Sequence, residues 1–82
     1  MFYIYAILNK SADKLYIGQT IDVANRLNEH NNHTFKGYTA RYQGEWELIY
    51  TESVATRSEP IKREKQLKSF RGREFVKRYI PT

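Results

Sequence analysis

No cysteine occurs among the 82 residues. Disulfide staples, thiolate zinc ligands and thiol redox chemistry are therefore excluded for this chain. Histidine is scarce: His30 and His33 are too few for a typical histidine-rich metal site, although an oxygen-ligated divalent ion remains open. Proline and glycine number only 2 and 4, and there is no low-complexity tract or internal repeat. A glycine-rich phosphate loop, an HExxH pair, a zinc-finger pattern and a serine nucleophile elbow are all missing. The apolar run from Phe2 to Leu8 gives way at once to Asn9 and Lys10. It is too short to span a bilayer and lacks a basic leader and a cleavage site, so a cytoplasmic location is the expectation.

What is present is positive charge. Fourteen Lys and Arg stand against nine Asp and Glu, a net charge of +5. Nine of those basic residues fall between Arg57 and Arg78, where there are only three Glu. A field of this size on one small domain, expected to span residues 1–82, attracts polyanions and speeds their encounter. Seven tyrosines are the second excess. Their ordinary role is packing in strands and core, with a hydroxyl that still needs a partner.

Hydrophobic patterning gives an α+β order: strand, strand, helix, strand, helix, helix. Residues 2 to 8 and 15 to 19 suit two strands joined by the turn-prone segment 9 to 14. A helix is predicted from about Asp22 to His30, capped by Thr20 or Asp22, with Val23 and Leu27 as its apolar stripe and Asn31 and Asn32 at its end. Residues 34 to 44 read as a basic, partly ordered loop with Lys36, Tyr38, Arg41 and Tyr42. In the third strand, Trp46 to Thr51, Trp46, Leu48 and Tyr50 alternate with Glu47, Ile49 and Thr51. A second helix is predicted over 57 to 70, with Pro60 tolerated in its first turn. Gly72 is expected to break the pattern before a last short helix over 73 to 79. Three strands cannot bury both faces alone, so the helices must cover the sheet.

Several residues invite a chemical reading. Glu64 lies three after Ile61 and three before Leu67, which points it between two apolar positions. A carboxylate there must be paired, hydrogen-bonded or metal-bound. Arg26 lies three after Val23; its guanidinium could snorkel to solvent or clamp a phosphate. One turn on, His30 could move a proton or simply cap the helix. Tyr5 and Tyr16 could converge if their strands pair, and either would need a lowered pKa to act as a base. Gly18 would allow close approach of a backbone or ligand.

Taken in order, Tyr3-Ile4-Tyr5, Tyr16-Ile17-Gly18, Arg26, His30 and Glu64 resemble the GIY-YIG nuclease family, particularly its small stand-alone bacterial members. Tyr38-Thr39, Leu48-Ile49-Tyr50, Thr56-Arg57-Ser58-Glu59 and Lys62-Arg63-Glu64 echo further pieces of those members. The chain departs from the family pattern at Tyr3, usually glycine, and at Gln19, often lysine. The resemblance implies a three-stranded antiparallel sheet flanked by helices. It implies a phosphodiester endonuclease acting on nucleic acid, DNA more than RNA, with repair or recombination as a setting. Tyr5 or Tyr16 would orient or deprotonate water, Arg26 would stabilise phosphoryl charge, and His30 would support proton transfer. Glu64 would hold one Mg²⁺ or Mn²⁺. Gly18, Gln19, Lys36, Tyr38, Arg41 and Lys62 would support the site or contact nucleic acid, and a protein partner could supply specificity. A non-catalytic nucleic-acid-binding module on the same fold, or a small protein-interaction domain, are the alternatives.

Overall fold

The computed structural model describes residues 2–33, 37–55 and 58–81, with backbone alone at 38, 40 and 58–60. Three strands, β1 (Phe2–Asn9), β2 (Lys14–Thr20) and β3 (Glu47–Val54), form an antiparallel sheet in the order β2-β1-β3. The helices are α1 (Val23–Asn31), α2 (Ser58–Lys68) and α3 (Phe70–Lys77), with a short 3-10 turn at Tyr38–Arg41. This is the expected α+β architecture. No helix among the described residues is long and apolar enough to cross a membrane.

β1 is the central strand, which explains its continuous run of aromatic and aliphatic residues: it buries side chains on both faces. Ile4 and Ala6 face one side with Leu15 and Ile17, where Leu67 of α2 and Val76 of α3 complete an aliphatic cluster. Tyr5 and Ile7 face the other side with Trp46, against Tyr16 and against Val23 and Leu27 of α1. The hairpin between β1 and β2 is closed by Asn9, whose buried side chain accepts from the Ala12 amide (3.0 Å) and donates to the Gln43 carbonyl (2.9 Å). Asp13 there adopts a left-handed φ of 55°, which short polar residues tolerate.

Of the two candidate caps, Asp22 is the N-cap of α1 and Thr20 braces it. The Asp22 carboxylate accepts from the Asn25 amide at 3.1 Å, and the Thr20 hydroxyl accepts from the Asp22 amide at 3.1 Å. At the other end, Asn31 serves the sheet. Its side chain accepts from the Trp46 amide (2.6 Å) and donates to the Trp46 carbonyl (3.1 Å), pinning α1 to the entry of β3.

Three expectations are corrected. The alternation along β3 is interrupted: Ala6 pairs with Tyr50 but Ile7 with Leu48, so Ile49 is the extra residue of a bulge. Ile49 and Tyr50 consequently pack against the same aliphatic cluster, and Leu48 is left 36% exposed. Gly72 does not end a helix; it lies inside α3, whose N-cap is Ser69. A Cβ at Gly72 would come within 2.0 Å of the Gln66 carbonyl oxygen and 2.4 Å of Leu67 Cα. Glycine is there to let α3 close down on the end of α2. Finally, Ile61 is 51% exposed, so the inward stripe of α2 contains Leu67 but not Ile61.

Candidate active site

Register brings the tyrosines together. Tyr5 pairs with Gly18 and Ile7 with Tyr16, so Tyr5 and Tyr16 occupy diagonal positions on one face, with ring centroids 6.1 Å apart. Gly18 makes this packing feasible. A Cβ on it would lie 2.9 Å from both the Tyr5 hydroxyl oxygen and a Tyr16 ring carbon. α1 lies over this pair and delivers His30, whose ring is 5.7 Å from Tyr5 and 5.2 Å from Tyr16.

His30 is fully buried, not a surface cap. Its Nε2 lies 2.8 Å from the Tyr5 hydroxyl and its Nδ1 lies 2.7 Å from the hydroxyl of Thr39, itself buried by the 3-10 turn. Both ring nitrogens are thus engaged. Burial, reinforced by the positive charge of Arg26 and only partly opposed by Glu29, pushes the imidazole pKa down to about 4. At neutral pH the ring is uncharged, with one nitrogen donating and the other accepting.

The two tyrosines differ in access. Tyr5 is 1% exposed, while Tyr16 is half-buried. Burial raises the pKa of Tyr5 far above its ordinary value, helped by the neighbouring Tyr16; the charge and hydrogen bond of Arg26 pull the other way. Tyr16 is also raised, by burial first and then by the negative charge of Glu64, against the opposing influence of Arg26 and of the neighbouring Tyr5 hydroxyl. The lowered pKa that a tyrosine base requires is therefore not supplied by the chain's own groups.

Arg26 is one turn before His30 on α1 and half-buried. Its Nε donates to the Glu29 carboxylate at 3.2 Å, while its charge reaches both tyrosines and His30. Beside it opens a cleft of about 400 Å³ whose lining includes Arg26, Gln19, Thr20 and Ile61. Gln19 thus sits beside the arginine, although it carries no charge. Glu64 is half-buried on α2 and takes a hydrogen bond from Lys68 at 3.3 Å, one helical turn on. Its negative charge is felt by both tyrosines. Arg41 and Lys62 are exposed. The side chain of Tyr38 and the whole of Lys36 lie outside the described residues.

Among the described residues no three His, Asp or Glu gather as a ready-made metal cage. The donor chemistry nevertheless suits a single hard cation: Mg²⁺ uses one or two carboxylates and fills its remaining positions with water and phosphate oxygens. Glu64 is such a carboxylate, and its pairing with Lys68 is partly solvent-exposed and therefore weak. Sequence reasoning undervalued Thr39. It lies nine residues beyond His30 on a separate turn, so helical periodicity could not connect them; the Tyr38-Thr39 pair in the family resemblance was the only pointer.

A three-stranded antiparallel sheet carrying a tyrosine pair over a glycine, with arginine and histidine on the first helix and glutamate on the second, is a GIY-YIG type of domain. The chain belongs to the GIY-YIG family: the model of the GIY-YIG catalytic domain matches residues 1–79. It is 35% identical over 75 residues to a UPF0213 protein of Staphylococcus saprophyticus, covering 92% of this chain and 89% of that one. A UPF0213 protein of Haloquadratum walsbyi is 38% identical over 68 residues, covering 83% and 74% respectively. The solution structure of a UPF0213 protein from Bacillus halodurans superimposes with a TM-score of 0.54 at 29% identity, covering 93% of this chain and 82% of that one.

Proposed function

We propose that the chain is a metal-dependent endonuclease that hydrolyses phosphodiester bonds in nucleic acid, DNA in preference to RNA. The observation that carries this reading is the convergence of Tyr5, Tyr16 and His30 beside the charges of Arg26 and Glu64. A tyrosine pair kept for packing alone would not need a buried histidine, an arginine and a carboxylate around it.

Roles follow from access and charge. Tyr16, the less buried tyrosine, orients the attacking water; its phenolate, which a cation offsetting the charge of Glu64 would favour, would accept the water's proton. Tyr5 and His30 hold Tyr16 from behind. Arg26, at the edge of the cleft, binds the phosphoryl oxygens through its planar fork and stabilises the charge that develops on them. Glu64 would hold Mg²⁺ or Mn²⁺. Such an ion, when bound, supplies Lewis-acid stabilisation of a phosphate oxygen and of the leaving oxygen. Gln19 donates hydrogen bonds from the cleft, and the exposed Arg41 and Lys62 add to the field that gathers the polyanion.

A second reading has its own support. The Glu64–Lys68 pair and the raised tyrosine pKa values describe a site at rest, as a nucleic-acid-binding module without catalysis would have. The test is cleavage of labelled single-stranded, duplex and branched DNA, and of RNA, with Mg²⁺, with Mn²⁺ and with chelator, for the wild type and Glu64→Gln. Metal-dependent cutting that the substitution abolishes, with binding retained, is expected. Salt-sensitive binding without cutting by either protein would select the binding module. Absence of both would remove nucleic acid from the account and leave a protein-interaction domain.

A further inference from the structure

α2 has little apolar hold on its own rotation. Among its described side chains Leu67 alone is buried, and Ile61 is 51% exposed. One apolar anchor gives the helix burial without fixing its roll. At about 100° per residue, the side chains to either side of Leu67 form two flanks. Ile61 and Glu64, one turn apart, share the first, and Ile61 lines the cleft with Gln19 and Arg26. Lys62, Arg63 and Gln66 share the second and line a groove against Glu52 and Val54 of β3. That second flank is tied down. The Glu52 carboxylate accepts from Arg63 Nε at 2.8 Å through one oxygen and from the Tyr50 hydroxyl through the other. Arg63 also donates to the Gln66 side chain at 3.3 Å and lies over the Phe75 ring of α3, 5.9 Å from its centre. β3, α2 and α3 thus meet at one guanidinium, on the polar rim outside the aliphatic cluster.

We infer that Glu52, Arg63 and Tyr50 are positioning residues: they pin one flank of α2 to β3 and so fix the rotation that turns Glu64, on the opposite flank, into the cleft beside Arg26. Arg63 and Glu64 are adjacent in sequence, so a roll of α2 that frees the first swings the second. β3 and β2 are opposite edges of the sheet. The clamp at the β3 edge therefore acts on a cleft at the β2 edge, where Gln19 and Thr20 lie. A charge pair whose side chains are 36% and 23% exposed adds little net stability. A planar guanidinium held at Nε and over a ring, however, has a defined orientation. The clamp thus does more for direction than for folding. It rests on the proposed role of Glu64 only for its effect on metal binding; the placement of the helix stands apart from that role.

The test reads placement and metal binding separately. The chain has no cysteine, so nitroxide labels at Ala24→Cys and Lys65→Cys, both exposed, report the distance between α1 and α2 by double electron–electron resonance. A single narrow distance is expected in the otherwise wild-type protein. Glu52→Gln is expected to broaden or shift it. In unlabelled protein without nucleic acid, the same substitution is expected to weaken Mn²⁺ affinity, read from the free-ion resonance, about 10-fold. Tyr50→Phe keeps the ring packing and removes only the hydroxyl. It is expected to act in the same direction to a smaller extent, and it decides the question should Glu52→Gln not fold. Leu67→Ala removes burial but leaves the clamp, and is expected to keep the wild-type distance. An unchanged distance on breaking the clamp would overturn the inference, and so would an equal change in Leu67→Ala. A shifted distance with wild-type Mn²⁺ affinity would overturn it too, since Glu64 would not have moved. A wild type that binds no Mn²⁺, while Glu52→Gln shifts the distance, would refute the metal role of Glu64 and leave the clamp standing.

Discussion

The two faces of the sheet are built from the same three strands yet do different work. On the α2/α3 face, Ile4, Ala6, Leu15, Ile17, Leu67 and Val76 form an aliphatic cluster. On the α1 face, Tyr5, Trp46 and Tyr16 pack with His30 and Thr39, and the rings carry hydrogen-bonding groups into a nearly dry interior. The contrast teaches where stability and chemistry reside. Aliphatic burial stabilises without regard to direction. A buried polar network is worth little net stability but fixes orientation, and it holds only if every member is satisfied. Substitutions on the first face should therefore read out in folding, and those on the second in chemistry.

The largest effect should come from Gly72→Ala. The new methyl meets backbone at 2.0 Å, which no side-chain rotation can relieve, so α3 must lift from α2. A loss of about 4 kcal/mol or more is expected, seen as a lowered midpoint in urea unfolding. A variant as stable as the wild type would show that α3 is not needed to close the aliphatic face.

Next in size is a pH effect specific to the polar face. The folded-state pKa of His30 lies near 4, below the ordinary value of 6.5, so between those values the unfolded chain binds a proton that the folded chain refuses. Stability is then complete above about pH 6.5 and falls as pH drops toward 4, by about 3 kcal/mol in total. Urea unfolding across this window should show the slope in the wild type and a flatter line in His30→Gln. Glu52 is a separate case: burial favours its neutral form, but hydrogen bonds from Arg63 and Tyr50 outweigh this and hold its pKa down. Its stabilisation is present above the ordinary carboxylate range and is lost only at lower pH, as the carboxylate protonates.

The smallest effect on folding sharpens the contrast most. Gly18→Ala would press a methyl against the Tyr5 hydroxyl and the Tyr16 ring, and the rings can yield by a few tenths of an ångström. A cost of about 1–2 kcal/mol is expected. Because the displaced atoms are those assigned to the reaction, cleavage should suffer more than the melting temperature indicates.

Much of this was legible in the sequence. The apolar run of β1, the Asp22 cap and the spacing of Val23 and Leu27 follow from local rules, and the structure has them where those rules put them. Pairing of the first two strands was enough to bring Tyr5 and Tyr16 together. The misses are all tertiary. The Ile49 bulge depends on how β3 meets β1, and the place of Gly72 depends on how closely two helices approach. Ile61 looked buried because helical spacing supplies a face but not its extent. The burial of His30 required Thr39 and Trp46 to arrive from the far side of the intervening loop.

The division between the faces is tested most directly by pairing Tyr16→Phe with Leu67→Ala and measuring single-turnover cleavage and unfolding free energy for both. The account predicts that Tyr16→Phe loses cleavage by about 10²-fold or more with stability nearly unchanged. Leu67→Ala should lose about 2–5 kcal/mol of stability while its folded fraction still cuts at the wild-type rate. Wild-type cleavage by Tyr16→Phe, or loss of chemistry from folded Leu67→Ala equal to that from Tyr16→Phe, would contradict it.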